Sequence, residues 1–444
     1  MANKSQATAD EKRTDVIVRV LEDAFAELMV ADPAAFRLKF RKMAANPFAF
    51  YRGSACLFFA DHNEIDDPWH DEEASRIWIH GDLHAQNFGT YMNADGMLVF
   101  DVNDFDEAYL GPFTWDLLRF VASLALMTRA KAFPDQTIAE LARTFLNSYT
   151  DQVEHYVKGD NDEDFALRID NTHGAVHDAL LDARGSSRTA LLNGVSAVID
   201  HQRQFTIGRG TRSLDPEEQH LVMQAFEEYL ETIPEDRRKT HQGFYKVKGV
   251  VGRSGFGIGS AGLPAYNILI EGPNQAMEND VVLSMKQGNV PALSRVRKDP
   301  EADAYFQHQG HRTVVSQRAL QVHSDPFLGW CAIDGKGYVV DELSPYESDL
   351  DWDDLTEPAQ LSPVLADLGR ATAKIHCAAD EDSTEDLVQF QTETAIDRVV
   401  SGRRDELIAD LVARGMQYAE TARTDHQLFV DAFRENRFGG VSAT

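Results

Sequence analysis

Two short apolar segments run straight into carboxylates. RIWIHGD (76–82) reads as a buried strand ending in a turn at Asp82. MLVFDVND (97–104) reads as a second strand, introduced by the turn residues Asn93, Asp95 and Gly96. A largely apolar helix, TWDLLRFVASLALMTRA (114–130), follows. Asp82, Asn87 and Asp104 thus come from two adjacent strand ends, and the fold must be a mixed α+β one that sets these ends side by side.

Phosphoryl transfer needs such a set. The protein mainly positions groups and neutralises charge: one carboxylate orients the attacking hydroxyl and takes its proton, while an Asn and a second carboxylate hold Mg²⁺ on the nucleotide phosphates. The spacing in HGDLHAQNFG suits Asp82 as the base and Asn87 as a metal ligand. For the second carboxylate the cluster DVNDFDEA offers Asp104, Asp101 and Asp106, in that order of preference. A rival chemistry is metal-dependent hydrolysis with His80, Asp82 and His84 as zinc or manganese ligands, although no later histidine cluster completes a two-metal site.

Around this centre, apolar spacing predicts helices over 11–31, 34–44, 134–157, 215–233 (opened by Asp215 and Pro216), near 301–322, and over 361–379, with two more at the C-terminus. Residues 1–10 read as disordered and 165–210 as mainly helical. Strands are expected over 244–253, 265–272, 280–288, 327–334 and 337–344. The organisation is three parts: a helical catalytic part (1–235), a β-rich part (244–345) and C-terminal helices that pack back on the first (346–444).

GRSGFGIGSAG carries Gly257, Gly259 and Gly262 at GxGxxG spacing. Pro264 and a strand follow it, so the loop joins two strands instead of opening a dinucleotide-binding helix; backbone amides of such a loop lie over phosphates. Lys286, at the end of the apolar strand VVLSMK, then pairs with the α- and β-phosphates. Its usual Glu partner on the next helix is missing: Val315 and Ser316 stand there, and Glu301 is the substitute on offer. The strand around Glu342 (Asp341 to Leu343) would present its backbone to adenine.

The segment HGDLHAQN resembles the catalytic loop of aminoglycoside and choline kinase-like phosphotransferases. That resemblance implies ATP and Mg²⁺ as cofactors, a protein-kinase-like two-lobe fold, and a structural role for Asp116 in WDLL. The order is circularly permuted, since the catalytic loop precedes the glycine loop. Both constellations should therefore share one cleft, with helix 361–379 beside the strand leading to His80. KMAANPFAFYRG (42–53), HGDLHAQNFG, NDFDEA, GPFTWDLLR, RSGFGIGSAG and SDPFLGW (324–330) together resemble the bacterial domain of unknown function 2252 family over about 40–440, a family whose name implies no substrate.

Composition sets the remaining limits. Against 43 Lys and Arg stand 72 Asp and Glu, a net charge of -29, so nucleic acid and membrane surfaces are poor partners. Cys56, Cys331 and Cys377 form no CxxC pair, and no apolar run reaches a membrane span. The expectation is a cytoplasmic Mg²⁺-dependent phosphotransferase acting on a hydroxyl or amine of a small molecule or protein. AMP transfer or a non-catalytic nucleotide-binding scaffold are the alternatives beside the hydrolase.

Overall fold

A computed structural model describes residues 2–159, 165–208, 210–235, 237–238, 243–253, 262–321, 323–381, 383 and 387–444. The N-terminal region is helical: α1 (Ala2–Ala31), α2 (Pro33–Met43), α3 (Pro47–Gly53) and α4 (Ala55–His62). Asp32 and Asn46 cap α2 and α3 through the amides of Ala35 and Ala49, with Pro33 and Pro47 at the first helical positions. Helix α1 begins at Ala2, not at residue 11. Its early residues are mostly good helix formers, and Arg13 ties it to Asp61 and to Asp425 near the other end of the chain.

The motif-bearing strands form two separate antiparallel pairs. β1 (Ile77–Ile79) pairs with β4 (Tyr109–Gly111), and β2 (Phe88–Met92) pairs with β3 (Leu98–Val102). Helices α5 (Phe113–Ala130) and α6 (Asp135–Val157) follow. Beyond α7 (Ala175–Gly185) and α8 (Arg188–Val195) the expected helix gives way to a hairpin, β5 (Ser196–Ile199) and β6 (Gln202–Phe205). The reason is local: Asp200 and His201 both adopt positive φ, the two-residue turn that matches strand twist, and Val198 and Ile199 favour the extended chain.

Strand β7 (Thr211–Arg212) and helix α9 (Pro216–Thr232) lead into the main sheet. This sheet also holds β8 (Val247–Arg253), β9 (Ala265–Ile270), β10 (Val281–Gln287), β11 (Gly329–Ile333) and β12 (Lys336–Glu342), in the spatial order β11-β12-β10-β9-β8-β7, all antiparallel. The single helix expected near 301–322 is broken into α10 (Ala292–Val296), α11 (Pro300–Tyr305) and α12 (Gln309–Gln321). Asp299 caps α11, and His308 Nδ1 accepts the His311 N–H to restart the chain as α12. Helices α13 (Pro358–Cys377), α14 (Thr392–Val400) and α15 (Arg404–Arg434) close the chain.

The molecule is thus a mixed α+β protein with an antiparallel sheet. Its largest core joins α1–α6 to α13–α15, and a second core lies between the sheet and α9. Helix α9 therefore shares the core of the sheet, although the expected boundary at 235 would group it with the helical part. Helices α10–α12, inside 244–345 by sequence, contribute Leu293, Ala302, Val315 and Leu320 to the helical core. The three cysteines are buried free thiols, and no helix among the described residues is long and apolar enough to cross a membrane.

Candidate functional site

The loop between β1 and β2 is held by buried polar contacts. Asp116, in the first turn of α5, accepts the backbone N–H groups of His80 (2.6 Å) and Gly81 (2.9 Å), and its carboxylate lies 3.2 Å from His376 Nε2 on α13. Helix α13 therefore reaches the strand leading into His80. Gly81 has φ +76°, and a Cβ there would run into the Glu107 carbonyl, so only glycine fits. His80 is fully buried and its Nε2 donates to the Asn103 carbonyl at 2.7 Å.

This scaffold presents Asp82. Its Oδ1 accepts both Nε (2.7 Å) and Nη2 of Arg119, while Oδ2 lies 3.8 Å from His84 Nε2. Arg119 is wholly buried, with its guanidinium over the rings of Tyr51 (4.4 Å) and Phe58 (5.3 Å). Burial pushes the Asp82 carboxyl above the ordinary range, and Arg119 offsets part of that. His84 is driven well below its usual value by burial and accepts from Arg52 Nε at 3.2 Å. Both histidines thus spend nitrogens on protein groups, which leaves the His80–Asp82–His84 hydrolase centre without its ligand set.

The metal candidates separate cleanly. The pairing of Phe88 with Val102, extended by the Asn103 amide on the Asn87 carbonyl (3.1 Å), places Asn87 beside the end of β3. Asn87 Nδ2 donates to the Asp82 carbonyl at 3.0 Å, which leaves its Oδ1 for another partner. Asp104 adopts a left-handed conformation (φ 61°) and lines the cleft. Asp101 instead points into the interior, where Lys374 of α13 and the Val102 amide hold its carboxylate. Asp106 lines the cleft too; burial and then the Asp104 charge push its carboxyl up. Among the described residues no three His, Cys, Asp or Glu side chains form a metal cage. An oxygen donor set of Asn87 and Asp104 does suit Mg²⁺, which typically takes one or two carboxylates and completes its shell with water and phosphate.

A cleft of about 590 Å³ lies between the helical body and the main sheet, lined by Asn87, Asp104 and Asp106 on one side and by Lys286, Asp341 and Glu342 on the other. Asp82 lines an adjoining crevice that shares Arg52, Asp104 and Asp106 with the cleft. Lys286 projects into the open cleft, and Asp341, then Asp106, Asp104 and Glu347, raise its pKa. Glu301 is not its partner: it binds Arg76 at 2.7 Å on the surface. Val315 is buried in the helical core, and α12 turns Thr313, Gln317 and Gln321 to the cleft.

Of the segments expected to contact nucleotide, Glu342 lines the cleft but its amide is engaged, and Gly262 faces away from it. The Glu342 amide donates to Asp325 Oδ2 (2.6 Å) and the Leu343 amide to the Val282 carbonyl (2.9 Å), so neither is open to adenine, and the Glu342 carboxylate pairs with Arg188. A Cβ on Gly262 would face Leu28, Asp32 and Phe36 instead of the cleft. Gly257 and Gly259 lie outside the described residues. Sequence reasoning missed Arg119, although its place three residues after Asp116 puts it on the same helix face. It also missed Arg312 of α12, whose guanidinium binds the carbonyls of Phe105, Asp106, Ala108 and Asn289.

Residues 31–432 match the family described as an uncharacterized protein conserved in bacteria (DUF2252). The chain belongs to this family. No curated protein and no solved structure matches it.

Proposed function

We propose that this member of the DUF2252 family is a Mg²⁺-dependent phosphotransferase that moves the γ-phosphoryl group of ATP to an acceptor hydroxyl or amine. The carrying observation is that Asn87, Asp104 and Lys286, about two hundred residues apart, line one cleft with Asp82 at its edge. Phe105 supports the same arrangement, since it packs against the His80 ring at 5.9 Å and ties the metal-bearing segment to the catalytic loop.

Asp82 Oδ2 takes the proton of the acceptor hydroxyl as its oxygen attacks the γ-phosphorus. The bond from phosphorus to the bridging oxygen breaks, and ADP leaves with that electron pair. Arg119 fixes the carboxylate through Oδ1 and leaves Oδ2 for the proton. Lys286 neutralises phosphate charge. Asn87 and Asp104 would hold Mg²⁺, which supplies charge stabilisation on the phosphate oxygens when bound.

The test is the melting temperature with ATP and Mg²⁺ against ATP with chelator, joined to analysis of the nucleotide product. Stabilisation that needs Mg²⁺, with slow release of ADP, supports the proposal; pyrophosphate release would shift the reading to AMP transfer. One observation favours a non-catalytic scaffold as a second reading: Lys286 has no carboxylate within ion-pair distance among the described residues. Metal-dependent stabilisation with neither ADP nor pyrophosphate formed would select it.

A further inference from the structure

The crevice beside Asp82 holds about 40 Å³ and is lined by Lys39, Arg52, Arg295, Asp82 and Glu107, with Asp104 and Asp106 at the cleft end. A buried water needs ~10–15 Å³ of such space, so the crevice suits a group about the size of a carboxylate or phosphoryl head. Its cations are not consumed by the protein: none of Lys39, Arg52 and Arg295 forms an ion pair with a carboxylate among the described residues. Arg52 bonds only neutral acceptors, His84 Nε2 and Gln86 Oε1 (2.6 Å). Lys39 is 4% exposed, and its Nζ lies 3.9 Å over the Phe25 ring with no hydrogen-bond acceptor among the described residues.

Two of the four crevice carboxylates are engaged by the protein, and the other two stand at the cleft end. Asp82 is answered by Arg119 and Glu107 accepts the Ala292 amide, while Asp104 and Asp106 line the open cleft, where the proposed Mg²⁺ would sit. Burial moves the two sides toward neutrality, with Lys39 lowered to about 8 and Glu107 raised to about 7. An unpaired buried ammonium is costly, and an anion seated against it would relieve that cost.

We propose that the crevice formed by Lys39, Arg52 and Arg295 binds the carboxylate or phosphate of a small hydroxyl-bearing acceptor and holds its hydroxyl at Asp82. This rests on the phosphotransferase reading for the role of Asp82, but anion binding can be measured without ATP. The probes are inorganic phosphate and acetate, each titrated against the melting temperature of the full chain. Four proteins are compared: the unaltered chain, Arg295→Gln, Lys39→Met, and Lys286→Met as a control for anion binding in the nucleotide cleft.

Phosphate or acetate should stabilise the unaltered chain and Lys286→Met alike. Arg295→Gln and Lys39→Met should weaken that binding about tenfold, the loss of one charge-assisted contact. The anion that gives the larger shift identifies the head group. Arg295→Gln removes an exposed side chain, so it keeps the comparison open if Lys39→Met fails to fold. No stabilisation of the unaltered chain, or stabilisation that persists in Arg295→Gln, overturns the proposal. Loss only in Lys286→Met also overturns it, by moving the anion to the cleft. If ATP with Mg²⁺ has no effect while the Arg295-dependent shift remains, the phosphotransferase reading fails and the anion site stands.

Discussion

Asp82 lies on the loop after β1 and Asp116 in the first turn of α5 against that loop, and their surroundings divide the work. Asp116 spends its oxygens on two backbone N–H groups, so it builds the loop. Asp82 keeps Oδ2 free of hydrogen bonds, so it can take a proton. Asp116→Ala would orphan two buried amide donors, and each costs ~1–3 kcal/mol. The expected loss is therefore about 2–5 kcal/mol in denaturant unfolding, and a loss below about 1 would show that water replaces the carboxylate. Asp82→Asn should instead lower turnover by ~10²–10⁴ while nucleotide binding stays nearly intact. Because burial raises the Asp82 pKa above the ordinary ~3.9, the base is lost as pH falls through that raised value. The acid limb of kcat/KM should lie above the ordinary carboxylate range, and a limb at or below ~4 would remove Asp82 from the role.

Elements with local causes were legible. Asp215 and Pro216 start α9 where their chemistry demands, and the strand carrying Lys286 lies within one residue of its expected limits. What stayed hidden was long-range pairing. Nothing local to Asp101 says that Lys374, 273 residues later, will hold it, so the sequence left Asp101 among the metal candidates. The charge that most affects Lys286 was hidden for the same reason: it is Asp341 on the neighbouring strand β12, not a residue of the following helix, although the two form no ion pair. The β5–β6 hairpin was missed although Asp200–His201 is a two-residue turn without the glycine that usually marks one. The contact of β3 with α13 can be tested directly. Lys374→Met should destabilise the protein by ~3–5 kcal/mol by leaving a buried carboxylate unpaired, and adding Asp101→Asn should recover much of that. Equal destabilisation in the single and double variants would show that Lys374 matters through packing alone.

At the scale of the whole molecule, the order of the parts sets the problem. The chain makes the Asp82 loop before the sheet that carries Lys286, and the C-terminal helices return to complete the helical core. The C-terminal segment packs on α1 and α2: Arg37 donates to the Ser442 carbonyl at 2.8 Å, and Arg437 pairs with Asp15 (2.6 Å) and Glu11 (3.2 Å). Beyond Arg437 the Gly439 N–H donates to Glu22 Oε1 (2.6 Å), and twenty residues of helix separate Glu22 from Ala2, about 30 Å at 1.5 Å per residue. A flexible linker of about thirty residues spans roughly 30 Å, the scale needed to lead from the C-terminal segment to the start of α1. Opening the chain before the exposed Gly243 would then give the order glycine loop, Lys286, α13, catalytic loop, which is the order of an unpermuted kinase-like chain. A linker across the surface makes such reconnection tolerable, since the cores keep every contact. The permutant should unfold within a few degrees of the parent and should keep the parent's Mg²⁺-dependent response to ATP. If it folds but loses that response, the cleft depends on the native connection between α9 and β8. If it does not fold while the parent does, chain order is itself part of what assembles the two cores.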